Sequence, residues 1–515
     1  MTSLPALILF APLAVLAVAL VSVFTPGRRP ERLPLLAECA AAAALGFGVL
    51  GALQLVLSGP AASVAGGLLR LDAVSATMTV LVAFVGWVVV RYSRTYLDGE
   101  AREGTFHGLM LAALAAVLVV VQAATLPVLV AAFVAVGIAL RQLLLFYPDR
   151  PAARRAAAKF TLVWGAGDVA LFAAALLFWS AFGTAEIAVL TATDGSSFGI
   201  AAHAGVGLVV LAAGLKTAAF PLHGWLTEVM EAPTPVSALL HAGIVNSGGV
   251  LLITLSGLVQ HSPAAMAALV MLGGLTALFG AVVMLTQSAV KTSLAWSTVS
   301  QMGFMLLQCG LGLWALALLH IVAHSLYKAH AFLASGGAVR AVVKVRRPGP
   351  VAVPGLGAVA RSFALALVLY GAVAVGFGLV AGPKSAQALA LGAILIFGVA
   401  YLVAQGLADT APGALTRRTL LASFGAAVAY FGFQVLADAL WGGHLPAAPV
   451  PGPLEWALIL LALASFGLVA VAQALFPLWA HHPATAGLRV HLANGLYLNA
   501  LLDRLIGGLR TTRPN

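Results

Sequence analysis

The chain has 515 residues, of which 62% are hydrophobic and only 8% are Asp, Glu, Lys or Arg; soluble proteins carry about 25% charged residues. Mean hydropathy is +1.05. The net charge is +11, but the basic residues stand in short clusters between apolar runs, so the composition excludes a soluble multidomain enzyme, a disordered chain and a nucleic-acid binder.

What remains is an all-α polytopic membrane protein. A helical span takes roughly 20 apolar residues. In chain order, spans are expected at 3–24, 35–57, 71–90, 106–122, 124–146, 160–182, 201–231 (broken), 235–257, 264–286, 291–309, 311–336, 361–381, 386–407, 417–440 and 453–478. The first run lacks a basic n-region and an A-x-A cleavage site, which predicts a retained span rather than a signal peptide. Cys39 and Cys309 both fall in apolar runs and form no metal or disulfide pattern.

Counting cations orients these spans. Loops after odd-numbered spans, together with the tail, hold 22 of the 27 Lys and Arg residues, including Arg150, Arg154, Arg155 and Lys159. Arg141, Lys216 and Lys328 lie inside spans, and Arg70 and Lys384 fall on the opposite side. The positive-inside rule then predicts an outer N-terminus and a cytoplasmic C-terminus in a bacterial inner membrane. The tail, 484–511, reads as an amphipathic helix on the cytoplasmic surface, lying on lipid or docking a partner.

An ionisable group at mid-bilayer costs at least about 2.5–3.5 kcal/mol, so those inside spans are functional candidates. The most informative stretch is GLKTAAFPLHGWLTEVMEAPTPVSALLH, 214–241. Lys216 lies in a span, and Pro221 removes a backbone donor five residues later, predicting a helix break. Such a break frees carbonyls that line a wet cavity. Lys216 then either carries protons or caps the freed carbonyls. His223, Glu228, Glu231 and His241 follow. In span 11, His320, His324 and Lys328 at i, i+4 and i+8 share one helix face beside Ser325, a spacing suited to a relay; His330 lies off that face. In span 10, Gln287, Lys291, Thr298 and Gln301 form a polar stripe, although Lys291 can also snorkel from the helix end. Asp168, in span 6, is the best partner for a buried cation. Arg141 and Glu38 lie near span ends and are expected to reach the interface. No P-loop, GxGxxG, HExxH or Cys/His zinc spacing occurs, so no cofactor, metal or catalytic site of its own is expected.

Two blocks carry a resemblance. AGLKTAAFPLHGWLTEVMEAPTPVSALLHAGIVNSGG, and TQSAVKTSLAWSTVSQMGFM followed by HIVAHSLYKAHAFLASG, resemble the proton-translocating antiporter-like subunits of respiratory complex I and the MrpA-type Na⁺/H⁺ antiporters. The resemblance covers roughly 70–340. It implies a fourteen-helix core with two inverted repeats and helix breaks at spans 7 and 12. It makes Lys216 the central lysine of the first half-channel, with His241, Lys291, His320, His324 and Lys328 along a hydrophilic axis. The division it suggests is 1–105, a first repeat 106–257, a second 264–410, C-terminal spans 411–480 and a tail 481–515.

The departures are equally specific. The family's span 5 glutamate, in a W-E-G-V-G setting, is replaced in Phe133-Val134-Ala135-Val136-Gly137. Gly165 stands where the family has an arginine. Lys384, after Pro383, is the sole candidate for a span 12 lysine, and hydropathy puts it in an outer loop. No long lateral helix like that of the complex I subunit is expected in the residues after span 15.

Together with RQLLLFYPDRPAA (141–153), KAHAF (328–332) and LRVHLANGLYLNALLDRL, these departures resemble the DabB membrane subunits of inorganic-carbon uptake systems. That resemblance implies a heterodimer with a DabA-like zinc protein related to β-carbonic anhydrase. It implies that a flow of cations, protons or sodium, drives carbon dioxide hydration one way. The alternatives are a proton-pumping subunit of a complex I-like oxidoreductase or Na⁺/H⁺ antiporter, and a passive membrane anchor for a soluble enzyme.

Overall fold

The computed structural model describes residues 7–64, 66–337, 355–406, 413–475, 479 and 482–507. The apolar runs fold as helices because a bilayer cannot hydrogen-bond an exposed backbone. They are α1 Phe10–Val21, α2 Leu33–Ser58, α3 Ala73–Tyr96, α4 Glu103–Gln122, α5 Leu126–Leu144, α6 Pro151–Phe182, α7 Ile187–Thr191, α8 Ile200–Lys216, α9 Gly224–Thr227, α10 Thr234–Ala242, α11 Ser247–Thr254, α12 Ser256–Val259, α13 Pro263–Met284, α14 Val290–Gly310, α15 Trp314–Ala334, α16 Leu356–Ala381, α17 Ala386–Gly406, α18 Gly413–Trp441, α19 Pro453–Ala474, α20 Ala486–Ala493 and α21 Leu498–Leu505.

Among the described residues, twelve helices are long and apolar enough to cross a membrane, and two shorter apolar helices lie at Ile200–Lys216 and Ala386–Ala400. Helix α14 coincides with the expected tenth span. Its apolar stretch is interrupted by Lys291, Ser297, Thr298 and Gln301.

The chain is not purely helical. A two-stranded antiparallel hairpin, β1 Ala61–Val64 and β2 Leu69–Leu71, precedes α3. Asp72 then caps α3: its carboxylate accepts from Ser75 N, and Asp72 N donates to Ser75 Oγ, a reciprocal capping box.

Helix α6 begins at Pro151, two turns earlier than hydropathy suggested. Proline is favoured in a first turn, and the alanine-rich PAARRAAAKF that follows is a strong helix former. Arg154, Arg155 and Lys159 therefore belong to the helix, correcting their assignment to a loop. Gly183, with φ +67°, ends it in a left-handed cap.

Helices α13 and α14 pack closely because both carry glycines seven residues apart: Gly273 faces Gly303, Gly280 faces Ser300 and Gly310 faces Val270. A Cβ at Gly280 would stand 2.6 Å from Ser300 N, and one at Gly303 2.7 Å from Gly273 O. Small residues let membrane helices approach this way.

The tail is not one continuous helix. Leu496 and Tyr497 have positive φ and separate α20 from α21, which turns back onto the core and buries Leu502.

Candidate functional site

Helix α8 stops at Lys216, ahead of Pro221. Ala218 takes φ +55°, outside the right-handed helical region, so the helix cannot propagate through it; Thr217 Oγ1 donates back to Ala213 O at 2.8 Å. The freed Phe220 N–H donates to Thr276 Oγ1 at 3.1 Å. Lys216 is fully buried. Its Nζ donates to Asp168 Oδ1 at 2.5 Å and lies 4.0 Å from the Trp164 ring centroid and 4.6 Å from that of Phe133. Asp168 is thus the carboxylate beside the lysine. Val134, at the family's glutamate position, points outward and is 39% exposed.

A second group forms where α15 runs antiparallel to α14. His320 Nδ1 meets Gln308 Oε1 at 2.9 Å and His324 Nδ1 meets Gln301 Oε1 at 2.7 Å. Lys328 Nζ donates to Leu294 O at 3.1 Å and to Ser297 Oγ. The i, i+4, i+8 face therefore lies along the α14 polar stripe.

His241 joins this group from α10. Its Nδ1 lies 3.2 Å from Thr298 Oγ1, which donates to Leu294 O at 3.0 Å. The ring stacks on Phe332 at 4.3 Å, and the buried Nε2 has no hydrogen-bond partner. Helix α10 ends at Ala242, a break that the periodicity did not reveal, although GIVNSGG carries the signal. The last carbonyls of a helix have no internal partner: Asn246 Nδ2 donates to Ala242 O at 3.0 Å and to Ser325 Oγ at 2.9 Å, and His324 Nε2 lies 3.0 Å from His241 O. Lys328, Leu294 O, Thr298, His241, His324 and Gln301 are consequently one connected polar group. Among the described residues, no hydrogen bond joins it to Lys216 and Asp168.

A cavity of about 760 Å³ opens beside this group, between α13, α14 and α15 and the C-terminal helices α17, α18 and α19. Gln301, Gln308, His320 and His324 form its polar wall.

The remaining candidates separate by position. Lys291 Nζ donates to Thr234 Oγ1 at 3.1 Å, and Thr234 Oγ1 donates to Tyr96 OH at 3.2 Å. Gln287 precedes α14 and donates to Ala493 O of the tail at 3.2 Å. His223 is buried among Phe220, Phe279 and Trp296. Glu231, His330 and Arg141 are exposed. Glu38 pairs with Arg91 and Arg94. Lys384 lies in the link between α16 and α17, 3.8 Å from Asp438.

One cluster was missed. Lys159, counted among the loop cations, is fully buried. Its Nζ lies 2.5 Å from Glu228 Oε1, 2.7 Å from Asp503 Oδ1 and 2.6 Å from Asn499 Oδ1. Arg155 Nε lies 3.8 Å from both carboxylates, giving two cations and two anions. The sequence signal was Glu228, a carboxylate six residues before the TPV that begins α10, which needs a cation beside it.

The membrane-crossing helices and the intramembrane lysine, histidine and carboxylate groups define a polytopic membrane protein of the antiporter-like class. The family described as "NADH:quinone oxidoreductase/Mrp antiporter, TM" matches residues 123–410, and "NADH-Ubiquinone oxidoreductase (complex I), chain 5 N-terminus" matches 68–107. The chain belongs to this antiporter-like membrane subunit family.

It is 38% identical over 453 residues to the "Probable inorganic carbon transporter subunit DabB2" of Halothiobacillus neapolitanus, covering 85% of this chain and 79% of that one. It is 41% identical over 293 residues to the corresponding DabB of Hydrogenovibrio crunogenus, covering 56% and 57%. NADH-quinone oxidoreductase subunit L of Mycobacterium tuberculosis is 33% identical over 426 residues, covering 79% and 64%. Among solved structures, the Mrp complex from Dietzia sp. matches with TM-score 0.61 and 25% identity over 99% of this chain and 60% of the matched chain.

Proposed function

We propose that the chain is the proton-conducting, energy-coupling membrane subunit of an inorganic-carbon uptake complex. Its partner would be a DabA-like zinc protein related to β-carbonic anhydrase, which performs the hydration. The similarity to two DabB subunits supports this assignment, and the Lys216–Asp168 pair at a helix end carries the mechanism.

In this reading Lys216 takes up and releases a proton against Asp168 as counter-charge. Lys291, His241, Lys328, His324 and His320 continue the route, with Glu228, His223, Gln301 and Lys384 as secondary members; His330, exposed and off the α15 relay face, is left out of it. The Gln301 and Gln308 amides can turn over, offering oxygen to a protonated imidazole or NH₂ to a neutral one. They therefore serve both charge states of His324 and His320. The unpaired Nε2 of His241 is an acceptor for a proton arriving from the Lys216 side. The two-repeat organisation over 106–257 and 264–410 and the cytoplasmic C-terminus belong to the same reading. Each charge crossing 100 mV supplies about 2.3 kcal/mol, which biases a coupled hydration several-tens-fold.

Carbon-dioxide-dependent growth of a host lacking carbonic anhydrase tests the reading. The chain with its genomic neighbour should restore growth in air, and Lys216→Ala at equal expression should not. Rescue by Lys216→Ala would overturn the Lys216 route. Co-purification with a quinone reductase instead of a zinc protein would favour the oxidoreductase reading.

A further inference from the structure

Asp503 and Asn499 sit on the tail helix α21, yet both reach a buried lysine of α6. Asp503 Oδ1 is 2.7 Å and Asn499 Oδ1 2.6 Å from Lys159 Nζ. Asn499 Nδ2 also donates to Glu228 Oε1 at 2.6 Å. Glu228 directly follows α9, the short helical piece after the break at Lys216. The tail therefore pins α9 to α6 through a four-charge cluster that neither element completes by itself.

The pinned piece matters because of what it covers. Trp225 of α9 is fully buried. Its ring centroid lies 5.4 Å from that of Phe160 and 6.2 Å from that of Trp164. Trp164 is the ring against which the Lys216 ammonium rests. Lys159 stands nine residues before Asp168 on α6, about 13.5 Å along the helix axis. Phe160, Trp164 and Trp225 thus form an aromatic block between the Lys159 cluster and the Lys216 pair.

We propose that α21 is a latch on the cytoplasmic gate of the Lys216 site, with Asp503 and Asn499 as its positioning residues. Holding Lys159 and Glu228 together keeps Trp225 on Trp164 and the gate shut; lifting α21 frees α9 and admits water and protons to Lys216. The proposal rests on the reading of Lys216 as a proton carrier.

The geometry supplies a reversible test. A Cβ at Gly224 would stand 3.6 Å from Asn499 Cβ, within the disulfide range of about 3.5–4.5 Å. The full-length Gly224→Cys/Asn499→Cys protein, with exposed Cys39 changed to Ser, is co-purified with its partner and reconstituted in vesicles holding a pH-sensitive dye. Oxidation should form the cross-link and lower potential-driven proton flux at least about tenfold, and reduction should restore it. Asp503→Asn and the milder Asn499→Ala should raise passive flux several-fold and speed hydrogen–deuterium exchange over 217–231. Failure of the cross-link to form, or equal flux in oxidised and reduced protein while Lys216→Ala abolishes flux, overturns the latch. If Lys216→Ala leaves flux unchanged, the proton reading falls instead. The exchange measurement then decides the latch by itself, since unchanged exchange in both tail variants overturns it.

Discussion

Lys216 and Asp168, 48 residues apart in the chain, meet at 2.5 Å between α8 and α6. The pair replaces the lysine–glutamate arrangement that the family resemblance implied, with the carboxylate supplied by α6 instead of α5. Removing one partner of such a pair strands a charge and costs about 3–5 kcal/mol, whereas replacing both with apolar residues is often neutral. Asp168→Asn should therefore lower the thermal unfolding temperature and abolish proton flux. The double variant Lys216→Met/Asp168→Leu should regain most of the stability and none of the flux. Restored flux in the double variant would show that the pair is structural.

Val134 marks the lost glutamate position and faces outward. Val134→Glu should neither contact Lys216 nor rescue Asp168→Asn. A lipid-facing carboxylate costs up to about 2.5–3.5 kcal/mol at mid-bilayer, so its expected effect is lower expression, read by fluorescence-detected chromatography. Rescue of Asp168→Asn would place position 134 in the site.

His324 and His330 lie on the same helix with opposite surroundings, one buried between Gln301 and the His241 carbonyl and one exposed. His324→Ala leaves both partners unpaired, at about 1–3 kcal/mol each. It should slow proton flux at least about tenfold, equivalent to about 1.4 kcal/mol of barrier. His330→Ala should change neither stability nor flux. Equal losses in both variants would remove His324 from the route.

Gly280 and Gly274, both on α13, differ in what lies beside them. A Cβ at Gly280 meets the α14 backbone, while one at Gly274 meets nothing within 4 Å. Gly280→Ala should destabilise by about 1–3 kcal/mol through overpacking and disturb Thr298 and Gln301 on α14. Gly274→Ala should be neutral. Thermal unfolding of the two proteins compares them directly.

Hydropathy, which is a local property, made the helices legible one by one, and the four-residue period placed His320, His324 and Lys328 on one face. Both predictions concern a single helix. The break at Lys216 was legible in kind but not in place, because Pro221 marks where a helix cannot run and Ala218 decides where it stops. The break after Ala242 escaped, since its apolar flanks read as one span. Lys159 was misread for a related reason: an alanine-rich helix carries charge-bearing residues inward without changing the hydropathy that marks a loop.

The sequence alone determined that this is a polytopic membrane protein with few intramembrane charges, because the bilayer acts on each span separately. Tertiary structure decided which of those charges meet. Asp168 rather than an α5 residue supplies the carboxylate beside Lys216, and α14 rather than lipid faces His320 and His324. A tail read as a surface helix turns back to set Asp503 against Lys159. Pairing of this kind depends on the close approach of helices far apart in the chain, which periodicity within one helix does not encode.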